Sequence, residues 1–201
     1  MLRRNVLKRI SKFLFVRLYW YVLENYVVKP KYRPSTINMI VSPSPHFFKT
    51  SPNRKVKFIV LHATASSTTE SAVRWMKDPS SKVSAHYVIG KDGSVVQMVD
   101  LDNIAWHAGK SEWKGEKNVN GCSVAIELVN KDDGTEQYSD AQVSACLTIT
   151  NALCTYYGID GDGVIRHKDI APNRKHDPGY LDFNTFKASL SFYQEKAKAL
   201  S

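Results

Sequence analysis

Cysteine is scarce: the chain has three, an odd number that cannot pair completely. Cys146 and Cys154 lie eight positions apart in a stretch that reads as one helix. That separation is about 12 Å of helical rise, too far for a disulfide. A chain of 201 residues can bury a real core without cross-links, so all three cysteines are expected as buried thiols. Internal repeats are absent. Acidic residues are nearly absent from the first part of the chain. Residues 1–57 hold thirteen Lys/Arg against the single acidic Glu24, a net +12, while residues 58–201 hold fifteen against eighteen, a net −3; together these give the overall +9. The basic character therefore belongs to the N-terminal segment and not to the folded part. That distribution argues against a nucleic-acid binder and suits an anionic membrane or polymer.

Also lacking is a long uninterrupted apolar run. Residues 1–28, MLRRNVLKRISKFLFVRLYWYVLENYVV, start basic and turn apolar, but Arg17 and Glu24 interrupt them. No stretch reaches the roughly 18 residues of a confident spanning helix. A signal sequence, an anchor and a basic amphipathic helix all fit; in the last, Leu2, Val6, Ile10 and Phe13 share one face. Membrane association through residues 1–28 is the expectation, and with it the cell envelope, periplasmic or membrane-attached. A cytoplasmic or phage-encoded lysis enzyme is the alternative. Residues 29–55 hold Pro30, Pro34, Pro43, Pro45 and Pro52 and read as an extended linker. The folded domain is then residues 56–201.

Strands and helices alternate in that domain. VKFIVLHAT (56–64) reads as a buried central strand that ends by presenting His62. Thr68 or Thr69 caps a helix to about Met76, and residues 84–100 form a hairpin around Lys91-Asp92-Gly93. CSVAIELVN (122–130) is a second buried strand with Glu127 inside its apolar run. A long helix follows over 139–158, closed by Gly158, then a short strand within 163–169 and a last helix from about Phe183 to Lys198, capped by Asp182. The result is an α/β domain with a mixed central sheet flanked by helices.

One loop stands out. RHKDIAPNRKHDPG (166–179) gathers two histidines, two aspartates and four basic residues. With two prolines and a closing glycine it cannot be one regular element. Zinc catalysis needs three protein ligands and one open position, and imidazole and carboxylate both suit that ion. His62, His167 and Asp177 would supply such a set. Spacing alone leaves the choice among His167, Asp169, His176 and Asp177 open.

IVLHAT, SAHYVIGKDGSVVQ, AWHAG, SVAIELVN and HKDIAPNRKHDPG occur in the order found in the zinc amidases that cut N-acetylmuramoyl-L-alanine bonds. The chain from about 56 to 190 resembles that family, which includes animal peptidoglycan recognition proteins and some phage lysozymes. The resemblance implies a zinc site of His62, His167 and Asp177, one ion per chain. It assigns proton transfer to Glu127 and oxyanion stabilisation to Lys175. A tyrosine that assists in the recognition-protein branch falls on Ala85, which implies the bacterial branch that relies on the glutamate. Trp106 and His107 are expected to line the groove, and Asn130 to contact the stem peptide. His176 is expected to face solvent or substrate, and His86 to pack. The implied activity is zinc-dependent hydrolysis of the amide between N-acetylmuramic acid and L-alanine in peptidoglycan or its fragments. A non-catalytic muropeptide-binding module is the competing reading; retention of all four residues, His62, His167, Asp177 and Glu127, speaks against it.

Overall fold

The computed structural model of the chain describes residues 30–50 and 54–200. Its centre is a six-stranded mixed sheet in the order β1 (Met39–Val41), β5 (Val95–Gln97), β4 (Tyr87–Ile89), β9 (Ser123–Leu128), β3 (Phe58–Ala63) and β10 (Val164–Arg166). Only the β4–β5 hairpin pairs antiparallel; the other ladders are parallel. Two small antiparallel pairs flank the sheet: β2 (Phe47–Lys49) with β6 (Asn103–Ala105), and β7 (Glu112–Trp113) with β8 (Glu116–Lys117). The mixed α/β architecture is the one expected.

The period-2 alternation of the central strands decides which side chains meet which layer. In β3 and β9, Ile59, Leu61, Val124, Ile126 and Leu128 point to one face. There they meet Val143, Cys146 and Leu147 of α2 (Asp140–Tyr157) and Phe186 and Leu190 of α4 (Phe183–Leu200). On the other face, Ala125 and Val88 pack with Ala72 and Met76 of α1 (Thr69–Lys77). Phe58, Val60 and Ile165 pack there with Ile170 of the short α3 (His167–Ile170). Both faces are covered, as a mainly parallel sheet requires.

The helix boundaries follow their caps. Thr68 accepts from the Ser71 amide in a capping box at the start of α1. Ser139 accepts from Gln142 N at the start of α2, and Gly158, at φ 67°, ends it in the left-handed conformation that glycine adopts without strain. Asp182 Oδ1 accepts from Thr185 N at 3.1 Å, at the head of α4. The cysteines are free thiols.

Two expectations change. The segment taken as a linker belongs to the fold. Its β1 and β2 pair with β5 and β6, and Tyr32 is buried in the main core. No proline lies within either strand: Pro30 and Pro34 precede β1, and Pro43 and Pro45 fall between β1 and β2, so no ladder N–H is lost. Arg54 then pins the chain. Its guanidinium donates to the carbonyls of Leu101 (2.9 Å), Asn120 and Gly121, and also to those of Asn103 and Ser123. The second change is that β10 stops at Arg166 and the chain turns into α3. Residues 1–28, the basis of the membrane expectation, lie outside the described residues. Among the described residues no helix is long and apolar enough to cross a membrane.

The Arg54 clasp is measurable. Arg54→Met strands several carbonyls without a donor, and each buried unsatisfied group costs about 1–3 kcal/mol. Urea unfolding of this variant is expected to show a loss of at least about 3 kcal/mol; a midpoint equal to the parent's would refute the clasp.

Candidate active site

The site is a row across three neighbouring strands. His62 has the same parity in β3 as Phe58 and Val60, so it points away from the α2–α4 layer. The parallel register sets it directly against Glu127 of β9. On its other side, β10 pairs Val164, Ile165 and Arg166 with Ile59, Val60 and Leu61, which brings the next residue, His167, level with His62. Glu127, His62 and His167 thus stand side by side near the carboxyl ends of parallel strands. The turn after Arg166 is held by Asp169. Its Oδ2 accepts from the Arg166 amide at 2.8 Å and its two oxygens bind the Arg166 guanidinium at 3.0 and 2.8 Å. Asp169 is therefore engaged with Arg166.

Asp177 enters from the following loop. Its carbonyl accepts from Lys168 N at 3.0 Å. The loop is tied again where Asp132 Oδ1 accepts from Gly179 N at 3.1 Å and its Oδ2 meets His176 Nε2 at 3.0 Å. His176 itself is largely in solvent, with 80% of its side chain exposed. Asp177 Oδ2 lies 3.1 Å from Nδ1 of His167 and 3.6 Å from Nδ1 of His62, and all three residues are buried. Their ligand atoms lie within 4.8 Å of one another.

This donor set fits a metal ion. His167 Nε2 faces the Ala108 carbonyl at 3.3 Å, a group that only accepts, so Nε2 carries the proton and Nδ1 presents a lone pair. Lone pairs from nitrogen and carboxylate converging in a buried space repel unless a cation lies between them. Burial pushes the His62 imidazole down to about 4, which keeps it neutral and able to coordinate. Burial works the other way on Asp177, but the contacts to His167 and His62 outweigh it and hold the carboxyl far below the usual carboxylate range. Two imidazoles and one carboxylate are a common three-residue set for a catalytic zinc.

Glu127 completes the row. Burial first, and the Asp177 charge second, push its carboxyl up to about 8, against a downward pull from Lys175. A bound cation would add to that downward pull. Its Oε2 is buried and has no hydrogen-bond partner. Lys175 is half-buried, and its charge acts on both Glu127 and His62.

Residues 52–180 match the family model for N-acetylmuramoyl-L-alanine amidase. The chain belongs to this amidase family. It is 35% identical over 164 residues to the 1,6-anhydro-N-acetylmuramyl-L-alanine amidase AmpD of Citrobacter freundii, covering 73% of this chain and 87% of that protein. The crystal structure of a selenomethionine AmpD derivative superposes with a TM-score of 0.61 at 31% identity, covering 74% and 92% of the two chains. AmiD of Escherichia coli, in complex with anhydro-N-acetylmuramic acid-L-Ala-D-γ-Glu-L-Lys, superposes with a TM-score of 0.62 at 27% identity, covering 70% and 60%.

Around this amidase centre the remaining expected residues take different places. His107 lies behind His62, with Nδ1 3.0 Å from His62 Nε2. Trp106 is half-buried and packs against Phe48 and His46 at centroid distances of 5.0 and 5.4 Å, its indole N–H without a partner. Asn130, expected at the stem peptide, is 2% exposed. Both ends of its amide serve its own loop: Oδ1 accepts from Asp132 N at 2.7 Å and Nδ2 donates to Glu136 O at 3.1 Å. It braces the turn that carries Asp132. His86 is fully buried, as expected. Tyr138 went unnoticed in the sequence. Its hydroxyl is buried without a partner, and after burial itself the charges of Asp132, Asp177 and Glu127 are what push its ionisation upward. Its phenol therefore stays un-ionised. A tyrosine just before a helix cap carries no signal that would have placed it there.

Proposed function

We propose that this amidase-family chain is a zinc-dependent N-acetylmuramoyl-L-alanine amidase. It hydrolyses the amide between the muramic-acid lactyl group and L-alanine in peptidoglycan or its released fragments. The observation that carries this reading is the convergence of His62, His167 and Asp177 within 4.8 Å beside a glutamate whose buried Oε2 is unpartnered. The near-complete overlap with AmpD, 87% of that protein's length, supports an activity on anhydro-muropeptides.

Amides resist hydrolysis because the carbonyl is a poor electrophile and water a poor nucleophile. Zinc held by His62, His167 and Asp177 would supply Lewis acidity at the scissile carbonyl and make nearby water more acidic. The rest falls to the chain itself. Glu127 accepts the proton of the attacking water and returns it to the departing L-alanine nitrogen. Its buried setting keeps its affinity for that proton high, which suits both halves of the exchange. The Lys175 ammonium faces the negative charge that grows on the carbonyl oxygen. The buried walls of the row keep bulk water from screening either interaction.

Treatment with a strong chelator is expected to abolish release of stem peptide from an anhydro-muropeptide, measured by mass spectrometry. Added zinc should restore it. Undiminished activity in demonstrably metal-free protein would overturn the proposal. Parallel digestion of intact sacculi would show whether the polymer is also a substrate.

A further inference from the structure

We propose that His107 and Ser123 form a fixed hydrogen-bond relay that sets the tautomer of His62 and thereby the affinity of the His62–His167–Asp177 site for its metal. Both are positioning residues, since neither offers an atom to the ligand cluster. The inference rests on the zinc-site reading above.

The relay is read from its far end. Ser123, fully buried at the head of β9, donates its hydroxyl to the Val119 carbonyl at 2.7 Å. A carbonyl only accepts, so this end of the chain has one direction. With its single proton spent there, Ser123 Oγ meets His107 Nε2 at 3.0 Å as an acceptor. His107 therefore carries its proton on Nε2, and its Nδ1 is a lone pair. That lone pair lies 3.0 Å from Nε2 of His62, so the proton between them belongs to His62 Nε2. What remains on His62 is Nδ1, the nitrogen that lies 3.6 Å from Asp177 Oδ2 within the ligand cluster. One backbone carbonyl thus dictates, through two side chains, which nitrogen of a third is available to coordinate.

The same outcome is reached for His167 in one step. Its Nε2 faces the Ala108 carbonyl directly at 3.3 Å. The two ligands are therefore treated alike, each with Nε2 tied outward and Nδ1 turned inward, but His62 needs an intermediary. His62 and His107 meet edge to face, with centroids 5.0 Å apart and planes at 83°, which aims the lone pair of one ring at the ring edge of the other. The backbone amides of His107 and Ala108 both donate to Asn120 Oδ1, at 3.1 and 2.7 Å. The relay is thus anchored along the main chain as well as at its end. Outer partners of this kind orient metal-bound imidazoles, and their loss lowers metal affinity about 10–100-fold in general.

The test uses the full chain. Zinc affinity is measured by competition with a chromogenic chelator for the parent and for Ser123→Ala, with the melting temperature of each metal-free protein as a check on folding. Ser123→Ala is expected to bind zinc about 10–100-fold more weakly. If the parent binds zinc tightly and the variant binds it equally well, the relay is wrong and the zinc site stands. If the parent itself binds no zinc, the zinc reading fails and takes the relay's purpose with it. Because Ser123→Ala alters a fully buried position, a second measurement uses the unaltered zinc-loaded protein: the nitrogen-15 spectrum of its imidazoles. His107 is expected to carry its proton on Nε2 and a bare Nδ1; the opposite tautomer would refute the relay whatever the variant does.

Discussion

Glu127→Gln is expected to retain zinc and lose turnover by at least about 10²–10⁴-fold, the range that positioned proton transfer contributes. The glutamine keeps the size of the side chain but can no longer take a proton from water. It points from the same place in β9, level with His62, so the ligand cluster is untouched and zinc content should be unchanged. Stability should move the other way. The folded site raises this carboxyl to about 8, whereas an exposed glutamate titrates near 4.5. Ionisation therefore opposes folding of the metal-free protein above pH 4.5, increasingly up to pH 8, and at pH 7 the amide removes that opposition. The metal-free variant should melt no lower than the parent at pH 7. A variant that turns over at a near-parental rate would remove Glu127 from proton transfer. One that loses both zinc and activity would show it to be part of the metal site instead.

Opposite signs of these two effects would distinguish a functional carboxylate from ordinary packing. Glu127 lies within a strand whose residues Val124, Ala125, Ile126 and Leu128 are fully buried, and one of its oxygens has no partner. A chain selected for stability alone would place an apolar residue there, as it does at each neighbour. The sequence shows this anomaly, a carboxylate inside SVAIELVN, without alignment or structure. It does not show the register. Parallel strands far apart in sequence can pair in several offsets; only the structure puts Glu127 opposite His62, and His167 one step beyond the Leu61 pairing.

The ligand loop was readable in kind and not in detail. Four candidates stood within residues 167–177, all of acceptable chemistry. The structure separates them by what else each one binds: Asp169 holds Arg166, His176 reaches outward to Asp132, and His167 and Asp177 remain for the cluster. No spacing rule carries that information. The proline-rich segment failed for a different reason. An edge strand of three residues with every side chain exposed, such as Met39–Val41, has no buried face and hence no alternation to detect. His107 and Asn130 illustrate a third limit. Each is a polar residue beside a site, which from sequence alone suits a substrate contact and a hydrogen-bonded brace equally.

Metal-free protein is expected to lose about 3 kcal/mol of stability through His86 alone between pH 7 and pH 4. Burial first, and the nearby Arg54 cation second, push this imidazole down to about 3. Its ring is held neutral from both sides: Nδ1 accepts from Ala125 N at 3.0 Å and Nε2 meets the Asn103 carbonyl at 3.2 Å. The groups facing it are the Arg54 guanidinium, 3.5 Å away, and the His107 ring at a centroid distance of 6.4 Å, neither of which can offset a new positive charge. The unfolded chain takes a proton near pH 6.5, whereas the folded chain resists until about pH 3. Stability is thus fully present above pH 6.5, falls by about 1.4 kcal/mol per pH unit below it, and levels off near the folded value. His86→Gln removes that proton from the balance. Urea unfolding of both proteins, stripped of metal so that the ligand histidines contribute equally, should show a pH slope smaller by one proton in the variant. Equal slopes would mean that His86 does not stay neutral in the fold. If the variant is too unstable to measure, the intact protein still decides the matter: the His86 imidazole should show no protonation at pH 5, where an exposed histidine is almost fully charged.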